Sequence, residues 1–305
     1  MMVYHQPVLL KESVDFLVTD LGGTYIDATF GGGGHTRELL ARISAGSRVF
    51  AFDVDENSET IANGLALREN RLHFVRDNFA NLREVLQQKG ISSINGALFD
   101  LGVSSHQFDY EPGFSYRREE RLDLRMDRRL RVSAYDIVNT YDTERLADVF
   151  FKYGEEPRSR SLANAIVKQR AKGKFDTTIQ LADLVNRICG HSVKSLSRIF
   201  QAIRIEVNGE LQSLSDGLDA AINLLLRGGR IVVLTYHSLE DRIVKEKFKY
   251  ESASCVCPPS SIICTCGKVA RIKVITRKPV VPTAKEAIEN RRSRSAKLRV
   301  AEKVV

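Results

Sequence analysis

Asp27-Ala28-Thr29-Phe30-Gly31-Gly32-Gly33-Gly34-His35 joins a β-rich run, Tyr25 to Ala28, to a helical pattern, Thr36 to Ile43. Glycines at such a joint let the backbone turn sharply and approach a ligand closely. The helix that follows presents unpaired N–H groups in its first turn. Outward from this joint the rhythm repeats. Strand-like runs at Arg48 to Asp53, His73 to Val75 and Ala97 to Asp100 alternate with helical patterns at Glu56 to Arg68 and Phe79 to Lys89. This βαβαβ order predicts an α/β fold with a parallel, doubly wound sheet. Each strand ends at or just before an aspartate: Asp27, Asp53, Asp77 and Asp100. Ligands of open α/β sheets bind at the carboxyl ends of the strands, so four acids in that register predict a polar, ligand-facing edge.

The rhythm then stops. From about Glu111 to Ile203 no strand is evident; a charged stretch from Arg117 to Arg131 leads into helical patterns at Glu144 to Lys152, Ser161 to Ala171 and Ile179 to Ile188. Strand character resumes at Ile231 to Thr235, after a helix Leu211 to Leu226 for which Gly228-Gly229 reads as the stop. Asp241 to Tyr250 reads as a helix, and Arg271 to Thr276 and Lys297 to Ala301 as strands that close the sheet. The expected organisation is a discontinuous core, 1–110 and 203–305, with a helical insertion at 111–202.

The glycine run also narrows the ligand. A dinucleotide fingerprint requires a third glycine three residues after the second. That position is Thr36 or Arg37 here, which disfavours a nicotinamide or flavin dinucleotide. S-adenosylmethionine has no pyrophosphate; it needs a loop near its amino-acid part, an acid for the ribose hydroxyls and an apolar slot for adenine. Asp53 stands where a carboxylate accepts ribose hydroxyls, and Asp77 or Phe79 lies where adenine would be flanked.

Composition sets outer bounds. The chain has 305 residues, 43% hydrophobic, enough for a large core. It has no long uncharged apolar stretch and no secretory pattern at its start, which predicts a cytoplasmic protein with reduced cysteines and no membrane contact. From Lys268 to Val305 the net charge is +9, against +8 for the whole chain. Such a basic segment reads either as a phosphate-contacting footprint or as a solvated surface.

The wider sequence resembles the RsmH (MraW) family of bacterial ribosomal RNA methyltransferases. The matching segments are His5 to Glu12, Ile26 to His35, Phe99 to Gln107, Gly113 to Ser115, Leu122 to Asp127 and Tyr153 to Glu156. They continue at Phe200 to Leu211, His237 to Lys245 and Arg294 to Lys303, so they span nearly the whole chain. The resemblance implies a class I (Rossmann-like) methyltransferase core, with a helical insertion that helps recognise substrate. It implies N4-methylation of a cytosine in the decoding region of 16S rRNA, either as naked RNA or in the small ribosomal subunit. It also implies cofactor contacts at Gly33, Gly34, His35, Asp53, Phe79, Asp100 and Gln107.

Asp100 is the expected catalytic group, holding the poorly nucleophilic cytosine amine and stabilising charge that develops on it. Amino-methyltransferases often carry an acid or amide followed by two prolines and an aromatic at that position. Here the residues are Asp100-Leu101-Gly102-Val103, so a role in cofactor binding stands beside the catalytic one. His237, after the Ile231 to Thr235 strand, is expected at the target base. Ser238, with Asp241 three residues on, reads as a helix cap. Arg125, within the charged stretch, is expected either at RNA phosphate or in an internal salt-bridge network. Cys255 and Cys257, with Cys264 and Cys266 seven residues on, offer four thiolates to a structural zinc, although one residue rather than two separates each pair. Surface thiols without metal are the alternative. Two other readings stay open: a class I methyltransferase acting on DNA or protein, and a non-catalytic RNA-binding factor.

Overall fold

A computed structural model describes residues 7–102, 115, 116, 118–258, 261 and 263–305. The chain divides into two compact units, one formed by 1–102 with 211–305 and the other by 103–210.

The first unit is built on a seven-stranded sheet in the order β3-β2-β1-β4-β5-β7-β6. The strands are β1 (Thr24–Asp27), β2 (Arg48–Phe52), β3 (Leu72–Val75), β4 (Ile94–Asp100), β5 (Leu225–Thr235), β6 (Ile272–Val274) and β7 (Lys297–Lys303). The first five pair in parallel; β7 runs antiparallel to both β5 and β6. This is the doubly wound, mainly parallel sheet that the sequence indicated. Successive side chains feed opposite layers: Ile26, Phe50, Phe52, Ala97 and Phe99 join one apolar cluster, and Tyr25, Val49, Ala51 and Leu98 the other. A sheet buried on both faces needs such continuous apolar runs. Each fully buried side chain of this size contributes roughly 1.5–3 kcal/mol. Helices alternate with these strands in chain order: α1 (Leu10–Leu17) precedes β1, α2 (Gly34–Arg42) follows it, and α3 (Glu56–Ala66) follows β2. The order reverses between β1 and β4, where open sheets leave a ligand crevice.

Two sequence expectations change here. The helix Glu210–Leu224 ends four residues before Gly228-Gly229, so the glycines are not its stop. They lie within β5, where Ile94 pairs with Leu225 and Gly96 with Arg230, leaving a bulge between. Gly228 takes φ +82°, and a side chain at Gly229 would meet the Asn95 carbonyl oxygen at 2.8 Å. The basic C-terminal segment, for its part, is built into the sheet. Asp241 pairs with Lys297 (3.0 Å) and Arg299 (2.6 Å), Glu251 with Lys268 and Arg271, and the Lys303 Nζ donates to the Ile222 carbonyl (2.8 Å). Much of its charge is therefore structural.

The second unit is helical. Its elements are Ala134–Thr140, Thr143–Lys152, Ser159–Arg170, Thr178–Cys189 and Val193–Asn208. The last of these, 16 residues long, has apolar residues at Leu196, Ile199, Phe200, Ile203 and Val207, a helical stripe that the sequence segmentation passed over. They share one core with Leu122, Phe150, Leu162 and Leu181.

Asn208 ties this core to its charged loop. Its Oδ1 accepts the Met126 N–H (2.8 Å), and its Nδ2 donates to the Leu124 (2.9 Å) and Arg204 (2.8 Å) carbonyls. Leu124 sits at φ +61°, a strained conformation for a branched side chain, and these bonds hold it there. Asn208→Ala should therefore cost about 1–3 kcal/mol by stranding both loop groups. Urea denaturation measures it; a loss below about 0.5 kcal/mol would show that the loop is held otherwise.

Candidate active site

The carboxyl ends of β1, β2, β4 and β5 carry a connected polar set. Asp27 closes β1 at 1% exposure. Its Oδ2 accepts the Thr36 hydroxyl (2.6 Å) and its Oδ1 the Thr29 N–H (3.2 Å). Burial raises its pKa, and these two bonds partly offset that. Asp27 therefore joins the strand to α2 across the glycine run and is not available as a free ligand group.

Within the run Gly31, Gly33 and Gly34 each have a constraint of their own. Gly31, at φ +52°, donates its N–H to Asp53 Oδ2 (2.7 Å). Gly33 stands at φ +73°, and a Cβ there would meet the Phe30 ring at 2.6 Å. At Gly34 a Cβ would lie 2.2 Å from Pro7 Cγ. Close packing against Phe30 and Pro7 is a structural reason for glycine at 33 and 34 that the sequence did not disclose. His35 follows in the first turn of α2, 6% exposed, with Nδ1 3.5 Å from Asp100 Oδ2. Its Nε2 is buried and has no hydrogen-bond partner among the described residues. A buried polar nitrogen left unpaired is costly, so the site is suited to a polar ligand.

Asp53 follows β2. Its Oδ1 accepts the Asp55 N–H (3.0 Å), and Asp55 itself caps α3 through the Asn57 N–H (2.8 Å). Loss of solvent pushes the Asp53 carboxyl up to about 6, against the lowering effect of its N–H donors. A carboxylate has about four acceptor sites; Gly31, Asp55 and the Ser58 side chain take three of them, so a ribose binds with one hydroxyl there or by displacing Ser58. The Asp77 Oδ1 accepts the Asn78 N–H (2.7 Å) and the Asn81 amide (3.0 Å), which order the turn after β3. Phe79 begins the short 3-10 turn there, edge-on to Phe99 at 5.5 Å. Gly217 lies behind it, where a Cβ would meet the ring at 2.7 Å.

Asp100 ends β4. Its N–H donates to the Thr29 hydroxyl (2.6 Å), and its Oδ1 accepts the Tyr236 hydroxyl (2.7 Å). Burial and the nearby Asp100 charge push the Tyr236 phenol well above its usual range, so it stays protonated as the donor. Tyr236 was not singled out from sequence. The signal was there: it follows β5 directly, at the same sheet edge as the four aspartates. Thr29 and Thr36, inside and just past the glycine run, were likewise missed.

The helix cap is corrected. His237, not Ser238, is the cap of Ser238–Ser252, with Glu240 as its reciprocal partner: the Glu240 N–H points at His237 Nδ1 (3.4 Å), and Glu240 Oε2 accepts the Tyr236 (2.8 Å) and His237 (3.2 Å) N–H groups. Asp241, expected as the cap's partner, is committed to Lys297 and Arg299. His237 Nε2 lies 3.0 Å from Glu240 Oε1.

Arg125 belongs to the helical unit. Its Nε and Nη2 bond Asp123 (2.6 and 2.8 Å), and Nη1 bonds the Leu130 carbonyl (2.8 Å). Each guanidinium nitrogen makes a bond within its own loop, as the internal-network reading expects, and the side chain stays 23% exposed. Gln107 lies outside the described residues. The four clustered cysteines are brought together, apart from the sheet edge.

The family described as MraW methylase matches residues 2–304. The chain is 47% identical over 306 residues to the ribosomal RNA small subunit methyltransferase H of Carboxydothermus hydrogenoformans, covering 98% of each chain. It is 45% identical to the protein of that name in Caldicellulosiruptor saccharolyticus (99% of this chain, 100% of the relative). Against the Clostridioides difficile protein of that name it is 44% identical, with 99% of each covered. A sheet edge that carries Asp53, His35 and Asp100 in one register thus sits in a chain matched from end to end, and the chain belongs to the MraW methylase family.

Proposed function

We propose that this chain transfers a methyl group from S-adenosylmethionine to N4 of a cytosine in the decoding region of 16S rRNA, as a cytoplasmic enzyme. The observation that carries this reading is the polar edge itself: a carboxylate at Asp53, a buried His35 nitrogen with no partner among the described residues and a tyrosine-held carboxylate at Asp100. The cofactor supplies an electrophilic methyl on a good leaving group, so the protein's task is to position the amine and handle its proton. Gly33, Gly34 and His35 border the amino-acid part. Asp53 accepts a ribose hydroxyl, and Phe79 flanks adenine. Gln107 joins them by its place in the family motif.

Asp100 accepts a hydrogen bond from the cytosine amine and takes up charge as nitrogen is methylated. Tyr236 orients Asp100. His237 lines the target-base pocket, and Arg125, within the helical unit, contacts RNA phosphate. The helical unit, 111–202 as the sequence delimits it, recognises the RNA or small subunit, with the target base extruded into the site. Among the described residues no helix is long and apolar enough to cross a membrane.

Labelled-methyl transfer from S-adenosylmethionine to unmethylated small subunits tests the reading; absence of transfer to RNA by a folded protein would refute it.

Asp53 adds a pH signature. With its folded pKa raised from 3.8 to about 6, it favours the fold fully below 3.8, and that contribution is lost as pH rises through about 6. Cofactor binding has the opposite sign, because ribose hydroxyls donate to the ionised form. Affinity should be full above pH 6 and fall as pH drops through it, approaching about tenfold per unit. Calorimetric titration across about pH 5 to 8 reads this directly. A flat profile would remove Asp53 from the ribose.

A further inference from the structure

The four clustered cysteines take no part in the polar edge. They lie between the helix Ser238–Ser252 and β6, in a loop whose ends are clamped by Glu251: its carboxylate bonds Arg271 (2.7 Å) and Lys268 (3.3 Å), and its carbonyl accepts the Arg271 N–H (2.8 Å). Inside the clamp there is no apolar core among the described residues. Cys255, Cys264 and Cys266 are exposed, and Val256 and Ile263 are 45% and 74% exposed. Packing therefore does not explain why the thiols converge.

Converge they do. The Sγ atoms of Cys255 and Cys264 are 3.5 Å apart, those of Cys264 and Cys266 3.6 Å, those of Cys257 and Cys264 3.9 Å and those of Cys255 and Cys266 3.9 Å. All four lie within 4.8 Å of one another. A disulfide would need about 2.05 Å, with two sulfurs paired and the rest apart. Four sulfurs at about 2.3 Å from one tetrahedral ion are about 3.8 Å apart, and the observed separations bracket that edge length. The backbone supports the same arrangement. The Val256 N–H points at Cys266 Sγ (3.5 Å) and the Cys257 N–H at Cys255 Sγ (3.4 Å), as ligating thiolates require of their surroundings. The single residue between each pair is no obstacle, because in an extended chain alternate side chains share one side.

We infer that Cys255, Cys257, Cys264 and Cys266 bind one zinc ion as four thiolates, and that the ion closes this loop in place of a hydrophobic core. Four soft thiolates in a tetrahedral array select zinc over the hard cations. With no position open to water or substrate, the ion is structural. It stiffens the connection into β6, a three-residue edge strand that pairs only with β7.

Full-length protein, purified under reducing conditions without chelator, should carry about one zinc per chain by elemental mass spectrometry. A mercurial titration should release it in step with the loss of the four thiols. Apoprotein loaded with cobalt(II) should show the intense visible bands of a tetrahedral tetrathiolate. The double variant Cys255→Ser, Cys264→Ser should lose the metal. If that variant fails to fold, the wild-type metal content and cobalt spectrum still decide. Zinc near zero with no cobalt bands in folded, reduced protein would overturn the inference, and iron in place of zinc would overturn the assignment of the ion. Metal content is read without any methyl transfer, so failure here is distinguishable from failure of the proposed function.

Discussion

Asp100→Asn is expected to fold normally and to lower kcat at saturating cofactor by about 10²–10³-fold, the scale seen when one preorganised electrostatic partner of a transition state is lost. The amide keeps the shape of the carboxylate and can still accept the Tyr236 hydroxyl, which now lies 2.7 Å from Oδ1. What it loses is the negative charge that faces the amine as positive charge builds on nitrogen. An interaction made only in the transition state appears in kcat and kcat/KM together. If Asp100 served only the cofactor, kcat at saturation would hold and only the cofactor's Kd would rise. Tyr236→Phe removes one hydrogen bond to the same carboxylate and should lower kcat by about tenfold, without abolishing cofactor binding. Steady-state kinetics of both variants, with small subunits as substrate, checks this.

Asp53→Ala should raise the cofactor Kd by about 10- to 10²-fold, since a hydrogen bond to a charged group contributes about 1.5–3 kcal/mol and Gly31, Asp55 and Ser58 leave about one acceptor site for the ribose. The substitution has a second effect, because the Gly31 N–H, which now donates to Asp53 Oδ2 at 2.7 Å, loses its acceptor. The glycine run is thereby loosened where it borders the ligand. Calorimetry reads the Kd. Unchanged affinity would mean that the ribose is held elsewhere and that the register of the strand-end acids has been misassigned.

The sheet was legible from sequence because each of its signals is local. Short apolar runs, each ending near an aspartate, mark β1 to β4, and the C-terminal strand pattern marks β7 but not its antiparallel sense, which only the pairing with β5 and β6 sets. The glycine run was legible as a turn, but not the Cβ clashes that require Gly33 and Gly34, which come from Phe30 and Pro7 folded over them. Tyr236 escaped for a related reason. Its partner Asp100 lies 136 residues away, and only the pairing of β4 with β5 brings the two together. Gly228-Gly229 was misread as a helix stop because glycine marks helix ends and bulges alike, and only the partner strand decides between them. The basic C-terminal run likewise gives its charge but not its partners, Asp241 and Glu251, which come from another helix.

The central claim is cytosine-N4 methylation of 16S rRNA by this chain, and mass-spectrometric mapping of rRNA nucleosides in cells lacking it tests that claim most directly. One N4-methylated cytosine in the decoding region should be lost, and restored by the wild-type chain but not by Asp100→Asn. Retention of every methylated cytosine in those cells would contradict it.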